Sequence, residues 1–293
     1  MIVAGPRRTS SRRQLSNYLF VLPQLIFFVV FLAWPVVRGL QISLYDWRIM
    51  AVDQRFVGMA NYLAILSDDT WWLALRTSFT FTALVMTLNT VLALLLAVAM
   101  KRDFAGRNFF RTVFYLPAVL SVTVVGVVAI SVWDPRGGLI NYLTVEVLRA
   151  PFIQWWTPGS EVFILVLTTV WWTFGFPLLV FIAGLRAIPQ SVYEAAVMDG
   201  ASGWQSLMRI TLPLLTPTIL FVLATQFITH MQMFGQAYQL GSDQSQTVFV
   251  YMFTTTWKFF RFGYASAMGV VLTLIIIVGA RVLFALLGKR FEY

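Results

Sequence analysis

Cysteine is missing altogether from the 293 residues, and histidine occurs once, at position 230. Without thiols there is no disulfide, no thiolate nucleophile and no cysteine metal site. A lone histidine likewise excludes a multi-histidine metal centre. Charge is scarce too: 11% of the residues are Asp, Glu, Lys or Arg, where a soluble domain carries about 25%. That deficit places the chain among integral membrane proteins. No G-x-x-x-x-G-K-[ST] phosphate loop occurs, since Gly288-Lys289 lacks both the upstream glycine and the following hydroxyl.

What fills the space is oil. Hydrophobic residues make up 59% of the chain, and a bilayer-spanning helix needs about 20 of them in a run. Six stretches meet that length, near Tyr18–Val37, Phe79–Met100, Val113–Val132, Val162–Leu185, Thr218–Phe234 and Ala265–Leu287. The first is too long for a signal-peptide core and has no clear small-x-small cleavage site after it, so it is expected to be retained. The fold expected is an all-α membrane protein of six transmembrane helices. Residues 1–17 are expected to form a basic N-terminal segment and 18–293 one six-helix transmembrane domain.

Six spans put both termini on one side, and the basic residues choose it. With the N-terminus inside, thirteen Lys and Arg fall in or next to the inner segments and eight in the outer ones. The net charge of +9 then lies wholly on the cytoplasmic side, as the positive-inside rule asks, giving an N-in, C-in topology. Such a basic excess meets anionic lipid headgroups and gives no reason to expect nucleic acid.

No acidic residue falls well inside a span, whereas an ion-coupled carrier is expected to bury ionisable groups at mid-membrane. An ATP-independent channel or secondary carrier is the alternative class. A membrane-embedded enzyme lacks a catalytic constellation, and no cofactor is expected in this chain.

Between spans four and five lies a polar insert, Glu194-Ala-Ala-Val-Met-Asp-Gly-Ala-Ser-Gly-Trp-Gln205 and onward to Leu215. Ser191-x-x-Glu194 and Ser202-x-x-Gln205 each fit a capping box. Gly200 suits the left-handed position that ends a helix, and Pro189 separates the insert from span four. The pattern predicts helix, tight turn, helix at the membrane surface, ending where Pro213 and Pro217 mark the start of span five. A capped helix with small and apolar residues can dock in a groove on a soluble partner, or simply lie in the interface between two spans.

The spacing Glu194-Ala195-Ala196, three residues, Gly200, nine residues, Ile210-x-Leu212-Pro213 resembles the EAA signature of ATP-binding-cassette (ABC) importer permeases. Ile188 through Ala201 also follows the longer form found in the sugar-importer branch. Leu22-Pro-Gln-Leu, Phe56-Val-Gly-Met-Ala-Asn-Tyr62, Phe110-Arg-Thr-Val-Phe-Tyr-Leu-Pro117 and Gly263-Tyr-Ala-Ser-Ala267 are similar to blocks of the maltose- and glycerol-phosphate-type importers. The turn after span five departs from that family, reading Gln239-Leu-Gly-Ser-Asp-Gln244.

The resemblance implies several things. The loop 188–213 is a cytoplasmic coupling helix docking on an ATPase through Glu194, Ala195, Ala196, Asp199 and Gly200. The partners are a second permease, two ABC ATPase subunits that hold ATP and magnesium, and an extracytoplasmic solute-binding protein. The location is the cytoplasmic membrane of a bacterium or archaeon, and the cargo is a sugar, oligosaccharide or polyol derivative.

Within the spans, Gln226, His230, Met233 and Ala237 are spaced to share one helical face, with Gln232 and Gln236 as a neighbouring polar pair. These groups either line a path for hydroxyl-rich solutes or act as interhelical glue. Family register adds Gly175 and Leu178 to Gln226, His230 and Met233 as substrate contacts. Pro177 in Gly-Phe-Pro is expected to kink span four. Asn89 is expected to bond between helices, and the pairs Trp71-Trp72 and Trp155-Trp156, with Trp257, to form an outer aromatic belt.

Overall fold

A computed structural model of the chain describes residues 11–48, 54–101, 104–157, 160–242 and 245–288. Several of the basic residues counted above (Arg7, Arg8, Arg102, Lys289 and Arg290) lie outside these, as do Asp243 and Gln244. The chain divides into two compact units, one of residues 1–66 and 255–271, the other of 67–254 and 272–293.

In the first unit, α1 (Ser11–Phe28) passes through a π-helical turn at Val29–Ala33 into α2 (Trp34–Ile42). None of the apolar window in Leu19–Ile42 is buried, as for a helix whose whole circumference faces lipid or a partner. A short antiparallel pair, β1 (Tyr45–Asp46) and β2 (Arg55–Phe56), leads into α3 (Ala60–Leu66). Asn61 donates to the carbonyls of Ser43 and Tyr45 at 2.8 and 3.0 Å and so fixes this turn.

The second unit carries the rest of the bundle. Helix α4 (Asp69–Ala99) starts ten residues before the apolar stretch that announced it, because Asp68 caps it by accepting from the amides of Thr70 and Trp71. Its buried residues Trp71, Leu75, Ser78, Phe81, Val85, Asn89, Ala93 and Ala97 recur every three or four positions, one stripe of a 3.6-residue helix. Ala93 and Ala97, both fully buried, join Leu178, Phe181 and Leu215 in one core cluster, where small residues let helices approach closely.

The third expected span is not straight. Residues 107–119, comprising α5 (Arg107–Tyr115) and a 3-10 turn, meet α6 (Val122–Trp133) at 100°. Pro117 and the extended Leu120–Ser121 break the helix, and Ser121 restarts it by accepting from the Val124 amide. After the one-turn α7 (Leu139–Asn141) and a π turn at Tyr142–Val147, α8 (Ser160–Thr173) and α9 (Gly175–Ala187) form the fourth span. It bends by 46° at the place Pro177 dictates, since proline offers no amide to the Thr173 carbonyl.

Helix α10 (Gln190–Met198) follows, then α11 (Gly203–Ser206), a π turn at Leu207–Thr211, α12 (Leu212–Met231) and α13 (Gly235–Leu240). Two further helices, α14 (Val248–Trp257) and α15 (Phe262–Gly288), straddle the division between the units.

Span five therefore differs from its expected limits of 218–234. The second helix of the insert is continuous with it, so the membrane-length helix covers Gly203–Met231. The π turn widens the backbone just before Pro213, where a missing amide does least harm. Among the described residues four helices are long and apolar enough to cross a membrane, or six if each bent pair counts as one span.

The tryptophans expected in an outer belt are partly structural. Trp71 is buried. Trp155 donates to Asn141 Oδ1 at 3.0 Å and Trp156 to the Trp133 carbonyl at 3.0 Å. Asn141 in turn donates to the carbonyls of Pro135 and Ile153, both at 2.9 Å.

At Gly175 the backbone of α9 runs against α5: a Cβ there would sit 2.6 Å from the Phe114 carbonyl oxygen. A Gly175→Val substitution should cost about 1–3 kcal/mol by overpacking. Tryptophan-fluorescence melting of the detergent-solubilised protein should show this as a lowered midpoint.

Candidate functional site

Both bends open onto one cavity. It has a volume of about 270 Å³ and is lined by Asn89 of α4, Ala118 at the 100° bend, Trp172, Thr173, Phe176 and Pro177 at the 46° bend, and Thr225, Gln226, Thr229 and His230 of α12. None of these lining residues is an acid, a lysine or an arginine.

Its polar groups are half spent. Asn89 donates through Nδ2 to Thr173 Oγ1 at 2.9 Å, and Gln226 through Nε2 to Thr90 Oγ1 at 3.1 Å. The Thr173 hydroxyl in turn donates a hydrogen bond to the Thr169 carbonyl at 2.7 Å. That leaves Asn89 Oδ1, Gln226 Oε1 and His230 Nδ1 buried with no hydrogen-bond partner among the described residues. A buried polar atom without a partner costs roughly 1–3 kcal/mol, so two amide oxygens and a ring nitrogen left over in the lining residues mark a place where hydrogen-bond partners are wanted. The His230 ring is held edge-on to Phe81, centroids 6.0 Å apart. A second cavity of about 240 Å³, between α6 and α8, has an almost wholly apolar wall in which Thr168 is the single hydroxyl.

Of the residues singled out in the sequence, Gln226 and His230 come together here. Gly175 and Leu178 do not line the cavity. Gly175 is the close-approach position just described, and Leu178 is fully buried in the cluster with Phe181 and Leu215. Met233 packs with Phe81, Trp133 and Ala237 in another cluster.

The shared helical face also fails as a register. Helix α12 ends at Met231 with Gln232 as its C-cap, so Met233 and Ala237 do not continue it. Gln232 is exposed while Gln236 is buried and accepts from Thr169 at 2.7 Å, so the two glutamines are not a pair. The cavity residues that sequence left unassigned as ligands are Asn89, Trp172, Thr173, Phe176, Thr225 and Thr229. Pro177 was the usable signal, because a kink exposes the residues around it.

The insert forms the second candidate surface. Helix α10 begins at Gln190 with Pro189 in the N-cap position, and the Ser191–Glu194 capping box is not made. Proline already supplies an amide-free helix start at 189, so Ser191 falls inside the helix rather than before it. The Ser202–Gln205 box is made in both directions, at 3.3 and 2.8 Å. Gly200 has φ +75°, and the bonds Ala201 N–H to Ala196 O (2.9 Å) and Gly200 N–H to Val197 O (3.0 Å) complete a Schellman ending. Glu194, Ala195, Asp199 and Gly200 are exposed and Ala196 is buried. Beside them Val197, Met198 and Trp204 stand 72%, 87% and 67% exposed, an apolar patch on a capped, rigid turn.

Bent apolar helices around an uncharged polar cavity, and a separate capped helix pair with an apolar face, define a multi-pass membrane protein. Residues 89–293 match the family model described as "binding-protein-dependent transport system inner membrane component". The chain is 32% identical over 281 residues to the probable ABC transporter permease protein YesP of Bacillus subtilis, covering 92% of this chain and 89% of that one. It is 31% identical over 284 residues to the sn-glycerol-3-phosphate transport system permease protein UgpA of Agrobacterium fabrum, covering 94% and 96%. It shares its fold, with a TM-score of 0.84, 22% identity and 96% of each chain covered, with a chain in the crystal structure of a bacterial alginate ABC transporter in complex with alginate pentasaccharide-bound periplasmic protein. The chain belongs to the binding-protein-dependent transport system inner membrane components, the permease subunits of ABC importers.

Thr173→Val removes the acceptor for Asn89 Nδ2. An interhelical hydrogen bond in a membrane is worth about 0.6 kcal/mol on average and up to about 1.7, so the thermal midpoint in detergent should fall slightly while the protein still folds. An unchanged midpoint would show that the Asn89 amide finds another partner.

Proposed function

We propose that this permease carries a neutral sugar or oligosaccharide across the cytoplasmic membrane of a bacterium or archaeon, and that the cavity beside Asn89, Gln226 and His230 is the station where cargo is held. The observation that carries the proposal is the set of unspent acceptors. A polyol offers hydroxyl donors to acceptors and an apolar face to Trp172 and Phe176. An anion would meet two amide oxygens and no lysine or arginine, which disfavours it. Relatives are named for glycerol phosphate and for alginate, cargoes with negative charge; a cavity with no lysine or arginine in its lining argues that this chain takes an uncharged one.

In this reading the chain crosses the membrane six times with both termini inside, counting each bent pair as one span. Residues 18–293 act as one permease domain behind the basic segment 1–17. A second permease completes the cavity, and a solute-binding protein delivers cargo from outside. Two ATPase subunits hold ATP and magnesium.

The 188–213 loop, through Glu194, Ala195, Asp199 and Gly200 with Val197, Met198 and Trp204 beside them, docks on one ATPase. Buried Ala196 sets the helix against the rest of the chain. Gly175, Leu178 and Met233 support the cavity from behind rather than touching cargo.

The direct test is mild-detergent purification of the tagged chain from its native membrane, followed by reconstitution with whatever co-purifies and the neighbouring binding protein. A second permease and an ATPase are expected in the eluate; a chain that emerges alone and stable would sink the docking role. Glu194→Lys should lower uptake at least about tenfold, as expected when a charge is reversed in a docked interface. Gln226→Leu should change the ratio of uptake between sugars that differ by one hydroxyl, with assembly unaltered. Equal loss for every sugar would mean that Gln226 serves packing alone.

A further inference from the structure

The docking helix is joined to the bundle by a side chain of the 188–213 loop that is not among its docking residues Glu194, Ala195, Ala196, Asp199 and Gly200. We infer that Tyr193 is the positioning residue through which α10 sets the two helices that wall the cavity. This rests on the docking role proposed above and adds the path by which docking would reach the site.

The geometry is specific. Lys101 Nζ lies 3.0 Å from the centroid of the Tyr193 ring, a cation–π contact. Lys101 immediately follows Met100, the C-cap of α4, which is buried in the cluster with Leu178, Phe181 and Leu215. At its other end Tyr193 Oη is 3.2 Å from Thr211 Oγ1. That threonine hydroxyl donates to the Ser206 carbonyl at 3.3 Å, so its free role toward Tyr193 is acceptor and the phenol is the donor. Thr211 is buried and ends the π turn from which α12 departs. One aromatic ring thus grips the end of α4 with its face and the root of α12 with its hydroxyl.

Those two helices lead to the cavity. Helix α4 carries Asn89, and α12 carries Gln226 and His230. Thr211 and Gln226 are 15 residues apart on a nearly continuous helix, about 22 Å at 1.5 Å per residue. On α10 itself, Tyr193 and Ala196 are three positions apart and turn inward, while Glu194, Ala195, Val197 and Met198 are exposed. The docking face and the grip are therefore opposite sides of one short helix, and a push on the first must pass through the second. The π turn supplies compliance at the joint, since such turns are weaker than α-helix and recur where a helix adjusts.

The absence of cysteine from the chain makes the test clean. Thr229 lines the cavity and is exposed, so Thr229→Cys provides a reporter for a membrane-impermeant maleimide. The assembled importer in proteoliposomes is labelled with and without Mg-ATP and vanadate, and the rate on this chain is read by mass. In the reporter background the nucleotide should change the rate.

Adding Tyr193→Leu should shrink that change about threefold to tenfold, the span that a partly exposed cation–π contact can carry, with the ATPase still bound. Lys101→Met should do much the same, and Tyr193→Phe, which keeps the ring contact, should do so less. If Tyr193→Leu fails to assemble, the Phe and Lys101→Met variants carry the comparison.

A nucleotide response unchanged in both Tyr193→Leu and Lys101→Met would overturn the inference. So would release of the ATPase from a properly folded Tyr193→Leu chain, which would make Tyr193 a docking residue instead. A reporter with no nucleotide response and no ATPase at all would remove the docking reading itself, and this inference with it.

Discussion

Inside hydrocarbon a backbone carbonyl or amide has no water to turn to, so a spanning helix can break only where protein supplies the missing partner. That constraint decides where this molecule bends. At the 100° turn the Leu120 carbonyl, lost to the helix, accepts from Trp172 Nε1 at 3.2 Å, and Ser121 takes up the Val124 amide. The 46° turn, where Pro177 has no amide to offer the Thr173 carbonyl, begins immediately after that Trp172. One tryptophan of the fourth span thus lies at both breaks. The two breaks therefore have to face each other, and the space between broken helices is the cavity. The site is a consequence of backbone satisfaction as much as of its side chains.

The polar side chains resolve an opposition that sequence posed as a choice between path and glue. Asn89 and Gln226 each have an amide with a donor end and an acceptor end. The donor end holds helices together, to Thr173 and Thr90, and the acceptor end is left over. One residue does both jobs because an amide has two faces. Gln236 divides the other way: its oxygen accepts from Thr169 and its nitrogen is the orphan, but in a core away from the cavity lining. Which half is spent, rather than which residue is polar, separates a lining group from a buried strut.

Much of the fold was legible because apolar length and helix punctuation are local signals. Six apolar stretches, the kink at Gly-Phe-Pro, the Schellman glycine at 200 and the Ser202 capping box all follow from residues within a few positions of each other. What was not legible depended on distant partners or on the competition between neighbours. Span three was expected as one stretch, Val113–Val132, and nothing local says that Trp172, about fifty residues on, will cover a break at Leu120. Span five read as beginning at Thr218 because two prolines normally stop a helix, whereas a π turn upstream lets the chain run through. The register from Gln226 to Ala237 failed since α12 ends at Met231 in a sequence with no glycine or proline there to announce it. Ser191 lost its capping role to Pro189, two residues earlier. For the site, Gln226 and His230 were visible as polar residues in oil, but Asn89 and Thr173 became lining residues only once the two bends had set them around one space.

The capped turn at 198–204 has a bearing on how the protein is made. Val197, Met198 and Trp204 stand exposed on a segment shaped by the Schellman ending and the Ser202 box. If a partner docks there, as proposed, a chain without that partner leaves the patch uncovered. Under the proposed docking, copies made in excess of the partner would keep it on view to chaperones and proteases, and the abundance of this subunit would follow the supply of whatever covers α10.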